Sequence, residues 1–172
     1  DHTDRAQMGG IRGALALGAV GLSTPVRAEP PPLKIGLLED VSGDIALFGI
    51  PKLHGSELAV SEINKAGGIM GRKIELIHLD PQMDNARYQE FARRLIQKDK
   101  VDVLIGGITS ASREAIRPIV DRANILYFYT NQYEGGVCDA NEISIGAIPE
   151  QQFSTLIPWM VEKFGKKVYT IA

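Results

Sequence analysis

Side chains able to bind or react gather in four short stretches of this sequence: Glu39 to Phe48, Asp80 to Asp84, Gly106 to Ser112 and Tyr129 to Gly135. The third reads Gly106-Gly107-Ile108-Thr109-Ser110-Ala111-Ser112. Glycines there let a ligand approach the backbone, free N–H groups at a helix start bind a polar oxygen, and a serine hydroxyl both donates and accepts. Thr109 or Ser110 serves equally well as a plain helix cap, and spacing does not separate the two roles. The fourth stretch, Tyr129-Thr130-Asn131-Gln132-Tyr133-Glu134-Gly135, mixes aromatic faces, an amide and a carboxylate. That mixture suits a small pocket with apolar walls and a few placed polar groups; a turn-rich loop with Tyr129 packed as core has the same composition. Glu39 and Asp40 are adjacent carboxylates, but neighbours on a strand face opposite sides and make a poor acid–base pair.

Other chemistries lack their residues. The glycines before Thr109 are not followed by Gly-Lys-Ser/Thr, and no G-x-G-x-x-G or G-x-S-x-G is present, which removes the phosphate loop, the dinucleotide fingerprint and the nucleophile elbow. His54 and His78 read as structural or solvated, and without H-x-x-x-H or C-x-x-C spacing no metal site is expected. No cofactor is expected. A formal charge of −2 gives no basic footprint for nucleic acid. Cys138, the single cysteine, is either an unpaired buried thiol or one half of a bond made elsewhere.

The elements that must position these stretches alternate. Leu33–Leu38 is a short apolar strand. A helix carrying Leu53, Leu58, Ala59 and Ile63 follows, with Pro51 in its first turn and Gly67-Gly68 at its end. Residues 73–80 alternate as a strand that Pro81 stops. Asp84 caps a helix over 85–98, with Tyr88, Phe91, Ala92, Leu95 and Ile96 on one face. Val101 to Gly107 is a nearly continuous apolar run, as in a parallel strand covered on both faces. A helix over 111–123, a strand over 125–129, a short strand from Glu142 to Ile145, a helix over 150–164 and a strand over 167–172 complete the series. This cadence predicts an α/β fold, a doubly wound parallel sheet built from right-handed βαβ units. In such sheets ligands bind beyond the carboxyl ends of the strands, where the four stretches fall.

The chain has 172 residues, 44% hydrophobic and 23% charged, a globular composition with no apolar run long enough to span a membrane. Residues 1–28 have a basic start at Arg5 and Arg12, an uncharged stretch from Gly13 to Leu22, and Val26-Arg27-Ala28 at the end, the layout of a secretory signal peptide cut after Ala28. Beginning at Asp1 and stopping within an apolar run, the chain reads as a fragment.

Several segments then line up with a known family. Ile35-Gly-Leu-Leu38, Glu62-Ile-Asn-Lys-Ala-Gly-Gly-Ile-Met-Gly-Arg72, Asp80-Pro81, Gly107-Ile-Thr-Ser-Ala-Ser-Arg113 with Pro118, and Tyr133-Glu-Gly135 carry the likeness. From Leu33 to Ala172 the chain resembles the type I periplasmic solute-binding proteins of ABC importers, the branched-chain amino-acid-binding group, and within it the urea and short-chain-amide branch. The resemblance implies two α/β lobes closing on a small ligand: an N-terminal lobe over 33–147, then the hinge and a truncated start of the second lobe over 148–172. It implies ligand contact at Ser110 with its neighbour Thr109, at Asn131 and at Tyr133, with Tyr129 and Phe48 walling the pocket. It implies binding without catalysis, a periplasmic location and delivery to a membrane permease. The rival expectations are a cytoplasmic amide sensor of the same fold and a small-amide hydrolase using Ser110.

Overall fold

The computed structural model describes residues 29–167 and Tyr169. The signal-peptide reading, over 1–28, and most of the strand read over 167–172 lie outside them. The elements run β1 (Leu33–Leu38), α1 (Ala46–Lys65), β2 (Ile74–Leu79), α2 (Asn85–Arg94), a π-helical turn (Leu95–Asp99), β3 (Val103–Gly106), α3 (Ser110–Ala123), β4 (Leu126–Tyr129), β5 (Glu142–Ser144) and α4 (Pro149–Phe164). The five strands form one parallel sheet in the order β2-β1-β3-β4-β5, so the fold class is the α/β sheet read from the cadence. The chain leaves β1 toward one edge and returns past it to β3. The carboxyl ends of β1 and β3 therefore flank the switch point, where a doubly wound sheet opens a crevice.

The Asn64-to-Arg72 stretch has a structural job at the end of α1. The Asn64 side-chain amide pairs with the main chain of Ile74 in both directions, at 2.9 and 2.7 Å, and so acts as a strand neighbour to the start of β2. Gly68 turns the chain with φ +82°, and a Cβ there would fall 2.0 Å from the Arg72 carbonyl oxygen. Arg72 ties the turn to the approach of β1 through the carbonyls of Pro31 and Pro32, both at 2.9 Å.

The register sorts side chains into two faces. Leu38, Leu104, Tyr127 and Tyr129 point to the side of α2 and α3, and with Tyr88, Ala92, Leu95, Ile116 and Val120 they make the core. The opposite face is only half covered. Leu37 is buried near α1, but Val103, Ile105 and Phe128 are half-buried, and Leu126 and Ile143 are 44% and 40% exposed. The expectation of two-sided cover for β3 is thus corrected: among the described residues α1 packs at the β1–β2 end of this face, above an apolar cavity of about 190 Å³ lined by Leu37, Val60, Ile63 and Ile105.

Two boundaries also differ from expectation. α1 starts at Ala46, so Pro51 lies inside it and not in its first turn. The hydrogen bond that Pro51 cannot give would go to the carbonyl of Leu47; both residues are exposed, so that carbonyl is open to solvent. The helix read to residue 98 widens at Leu95 into a π-helical turn, which Lys100 ends in the left-handed conformation at φ 58°. No described helix is long and apolar enough to cross a membrane.

A one-sided core makes a quantitative statement. Leu104→Ala should cost about 2–5 kcal/mol in urea unfolding. Ile105→Ala, one position along the same strand, should cost less than half of that because its area is only partly removed from water. Equal losses would contradict the division of faces.

Candidate functional site

Two tight turns build the wall above β3 and β4. Gly106 leaves β3 at φ +132°, and a Cβ there would lie 2.1 Å from the Leu38 carbonyl oxygen; the next amide, Gly107 N–H, donates to that oxygen at 2.8 Å. The exit of β3 is thereby pinned to β1 at the switch point. Thr109 is the N-cap of α3: its Oγ1 accepts from Ser112 N–H at 3.1 Å, and Ser112 Oγ accepts from the amides of Ile108 and Thr109 at 3.2 and 3.1 Å. This reciprocal box leaves the amides of Ser110 and Ala111, the first two of the helix, without a partner among the described residues.

The β4 exit meets this turn. The Ile108 carbonyl accepts from Tyr129 OH at 3.0 Å and from Asn131 Nδ2 at 2.5 Å. Ser110 Oγ donates to Glu134 Oε2 at 2.5 Å. Glu134 is held in turn by Arg113, with Nη2 to Oε1 at 2.6 Å and Nη1 to Oε2 at 3.4 Å. The Arg113 guanidinium lies over the rings of Tyr129 and Tyr133, 5.2 and 5.5 Å from their centroids, and the two rings meet edge to face at 6.5 Å. Glu142 on β5 stands 3.8 Å away on its other side. Arg113 is only 1% exposed. Burial disfavours its cation, but Glu134 and Glu114 outweigh that and hold it above the usual arginine range. Bonds from Arg113 and Ser110 hold the Glu134 carboxyl down at about 2, so it is ionised.

A second polar layer lies at the end of β1. Glu39 and Asp40 are both 1% exposed and go to opposite sides, as strand alternation requires. Glu39 bonds Lys52 of α1 at 3.1 Å, and Lys52 also reaches the Gly107 carbonyl at 3.3 Å. Asp40 accepts from Tyr88 OH at 2.6 Å and from Met83 N–H at 2.8 Å. Burial pushes the Glu39 carboxyl up to about 7 against the opposing pull of Lys52.

Of the six residues expected at a site, the structure brings Ser110, Asn131, Tyr129 and Tyr133 into one network around Ile108, with Thr109 as its cap. Phe48 stands apart on the first turn of α1, 58% exposed. His78 bonds the Glu39 carbonyl at 2.9 Å, while the Ser110 hydroxyl goes to Glu134, so no described histidine is bonded to Ser110. Among the described residues no cluster of His, Cys, Asp or Glu is placed to hold a metal. The wall is an open surface; cavities of about 140 and 190 Å³ lie elsewhere, between α2 and α3 and beneath α1. Sequence reasoning gave Arg113 no role. The signal was there, since positions 113, 116 and 120 share one face of α3, and an arginine on an apolar face needs acidic partners.

An open parallel sheet with its polar cluster beyond the carboxyl ends of adjacent strands is one lobe of an α/β ligand-binding fold. The profile of the periplasmic binding protein family matches residues 32–172, and the chain belongs to that family. It is 39% identical over 113 residues to Leu/Ile/Val-binding protein homolog 8 of Brucella suis, covering 66% of this chain and 28% of that protein. Among solved structures it is similar to the branched-chain amino acid transporter substrate-binding protein LivJ of Streptococcus pneumoniae, in complex with isoleucine, at 25% identity and a TM-score of 0.64 over 77% of this chain and 38% of that one. A possible leucine/isoleucine/valine-binding protein from Rhodopirellula baltica shares the fold at 23% identity, with a TM-score of 0.67 over 83% of this chain and 38% of that one. The chain thus spans well under half the length of these relatives.

Two outcomes follow from the buried charges. Arg113→Met should lower stability in urea unfolding by about 3–5 kcal/mol, because it strands Glu142 inside the protein; a loss under about 1 kcal/mol would show that the pairing is incidental. Glu39, raised from 4.5 to about 7 in the fold, binds a proton more tightly folded than unfolded. Its contribution is present below the unfolded value and is lost as pH rises toward 7, by about 3 kcal/mol at most. Glu39→Gln should flatten the fall in stability between pH 5 and pH 8; an unchanged profile would contradict the assignment.

Proposed function

We propose that this chain forms the first lobe of an extracytoplasmic solute-binding subunit of an ABC importer. In this reading residues 1–28 are its export signal, residues 33–147 the lobe, and residues 148–172 the hinge and the opening of a second lobe. The ligand is a small polar solute, a urea, a short-chain amide or a branched-chain amino acid. It is enclosed between the lobes and handed to a membrane permease without chemical change. Ser110 contributes its hydroxyl and main-chain N–H, Thr109 shapes the turn, Asn131 and Tyr133 supply further polar contacts, and Tyr129 and Phe48 wall the cleft.

One observation carries the reading. Ser110 stands at the first position of α3 with its own amide and that of Ala111 unpaired among the described residues, beside Asn131 and Glu134, at the carboxyl ends of β3 and β4. Main-chain donors at a helix start with side-chain acceptors beside them hold a polar ligand by position alone. The group bonded to Ser110 is the Glu134 carboxylate, held down at about 2 and so a weak base, which favours binding over hydrolysis. The names of the relatives given above, substrate-binding or Leu/Ile/Val-binding proteins, point the same way.

The test is calorimetric titration of the two-lobed protein with urea, short amides and branched-chain amino acids. Ser110→Ala should weaken the ligand that binds by about tenfold, the value of one well-placed hydrogen bond. The unliganded melting temperature should not change. Unchanged affinity would remove Ser110 from the site, and an absence of saturable binding by any of the panel would overturn the reading.

A further inference from the structure

Away from the cleft, a hollow of about 140 Å³ lies between the C-terminal ends of α2 and α3, lined by Arg93, Ile96, Gln97, Ile119, Arg122 and Ala123. Each crossover helix runs antiparallel to the strands it joins, so the hollow is at the amino ends of the strands, the end opposite Ser110. Ile96 and Ile119 are half-buried against the core and form its floor. Ile96 and Gln97 belong to the π-helical turn that follows α2, a conformation frequent at functional sites.

The two arginines set this hollow apart. Arg72, Arg94, Arg113 and Arg117 each pair with a carboxylate. Arg93 and Arg122, both exposed, pair with none among the described residues. Arg93 makes a long bond to the Gln89 side-chain oxygen at 3.4 Å, and Asp121, next to Arg122, accepts from Asn141 at 3.4 Å. A cation in the last turn complements the helix dipole. Arg94 does so while bonded to Asp99, so the dipole does not require an unpaired arginine. Two guanidinium forks above an apolar floor fit a planar carboxylate carried on a short hydrocarbon chain. The helix ends also bring partial negative charge, which favours a monoanion over a dianion such as phosphate. An ammonium group beside the two arginines is repelled, so a zwitterionic amino acid fits poorly. A void of about 150 Å³ holds a benzene-sized molecule, which limits the chain to about four to six carbons.

We infer that Arg93 and Arg122 form a second binding site, on the outer side of the lobe, for a small free monocarboxylate with a short apolar chain. The carboxylate bridges the two guanidinium groups, and the chain lies on Ile96, Ile119 and Ala123. The site shares no residue with the cleft and does not rest on the solute-binding reading.

Titration of the two-lobed protein followed by NMR tests the inference, with isovalerate, isovaleramide, N-acetyl-leucine and inorganic phosphate as probes. Isovalerate should saturate at about millimolar concentration and bind at least about tenfold tighter than isovaleramide, which has the same shape without the charge. Arg93→Met and Arg122→Met should each weaken isovalerate at least about fivefold. Arg87→Met, at the start of α2 where Arg87 bonds Gln82, should leave it unchanged. Isovaleramide or phosphate binding as tightly as isovalerate would overturn the inference, and so would full isovalerate affinity in both arginine variants. N-acetyl-leucine stands in for the end of a peptide; tighter binding of it than of isovalerate would overturn the free acid as the source. The wild-type ratios decide the ligand class even if a variant does not fold. The affinity of the cleft for its own ligand should be the same in Arg122→Met, so failure here leaves the solute-binding reading untouched.

Discussion

A guanidinium cannot be taken out of water alone, and the arrangement around Arg113 follows from that constraint. The side chain leaves the first turn of α3 on the face that also carries Ile116 and Val120, so the helix cannot dock on the sheet without burying it. Neutrality then requires acids from elsewhere in the chain. Glu142 supplies one from β5, which places that strand beside β4, and Glu134 supplies another from the loop between them. Tyr129 and Tyr133 offer ring faces on which a planar cation packs. One buried charge thus joins α3, β4, β5 and the loop at residues 130–141, which has no regular structure of its own. The candidate wall is the outer surface of this assembly: Ser110 and Glu134 show their oxygens to solvent because Arg113 holds the carboxylate from behind.

The sheet order decides where that wall lies. Reversal of direction between β2 and β3 opens the crevice beside the carboxyl ends of β1 and β3, and the close approach at Gly106 ties those two ends together. The Glu39–Lys52 pair extends the tie to α1 through the Gly107 carbonyl. Polar groups on short turns are thereby fixed to three elements at once, which would limit the ordering cost of holding a ligand there. These groups lie on an open surface, and in the function proposed here a second surface facing it supplies the enclosure.

Much of the fold was legible because its signals are local. The limits of β1, the Asp84 cap, and the glycines that close α1 depend on neighbours in sequence, and the structure has them where patterning puts them. The same holds for the turn at Thr109 and Ser110, where helix-cap chemistry and ligand chemistry ask for the same residues. What was not legible depends on distant contacts. The apolar run of β3 reads as buried on both sides, yet which helices cover it is a property of the whole sheet. The start of α1 and the widening at Leu95 are set by how each helix meets the sheet. Arg113 sits between these cases. Its place on an apolar helix face is visible in the sequence, whereas the identity of its partners, 21 and 29 positions further along the chain, is a tertiary fact.

The central claim is the proposal that a small polar solute is held at the first turn of α3. Its most direct test is a crystal structure of the two-lobed protein grown with whichever of urea, a short amide or a branched-chain amino acid binds it. The account predicts a polar oxygen of the ligand within hydrogen-bond distance of the Ser110 hydroxyl and main-chain N–H, with the Arg113–Glu134 pair intact. A ligand bound elsewhere, or a Glu134 side chain swung away from Arg113 to make room for it, would contradict it.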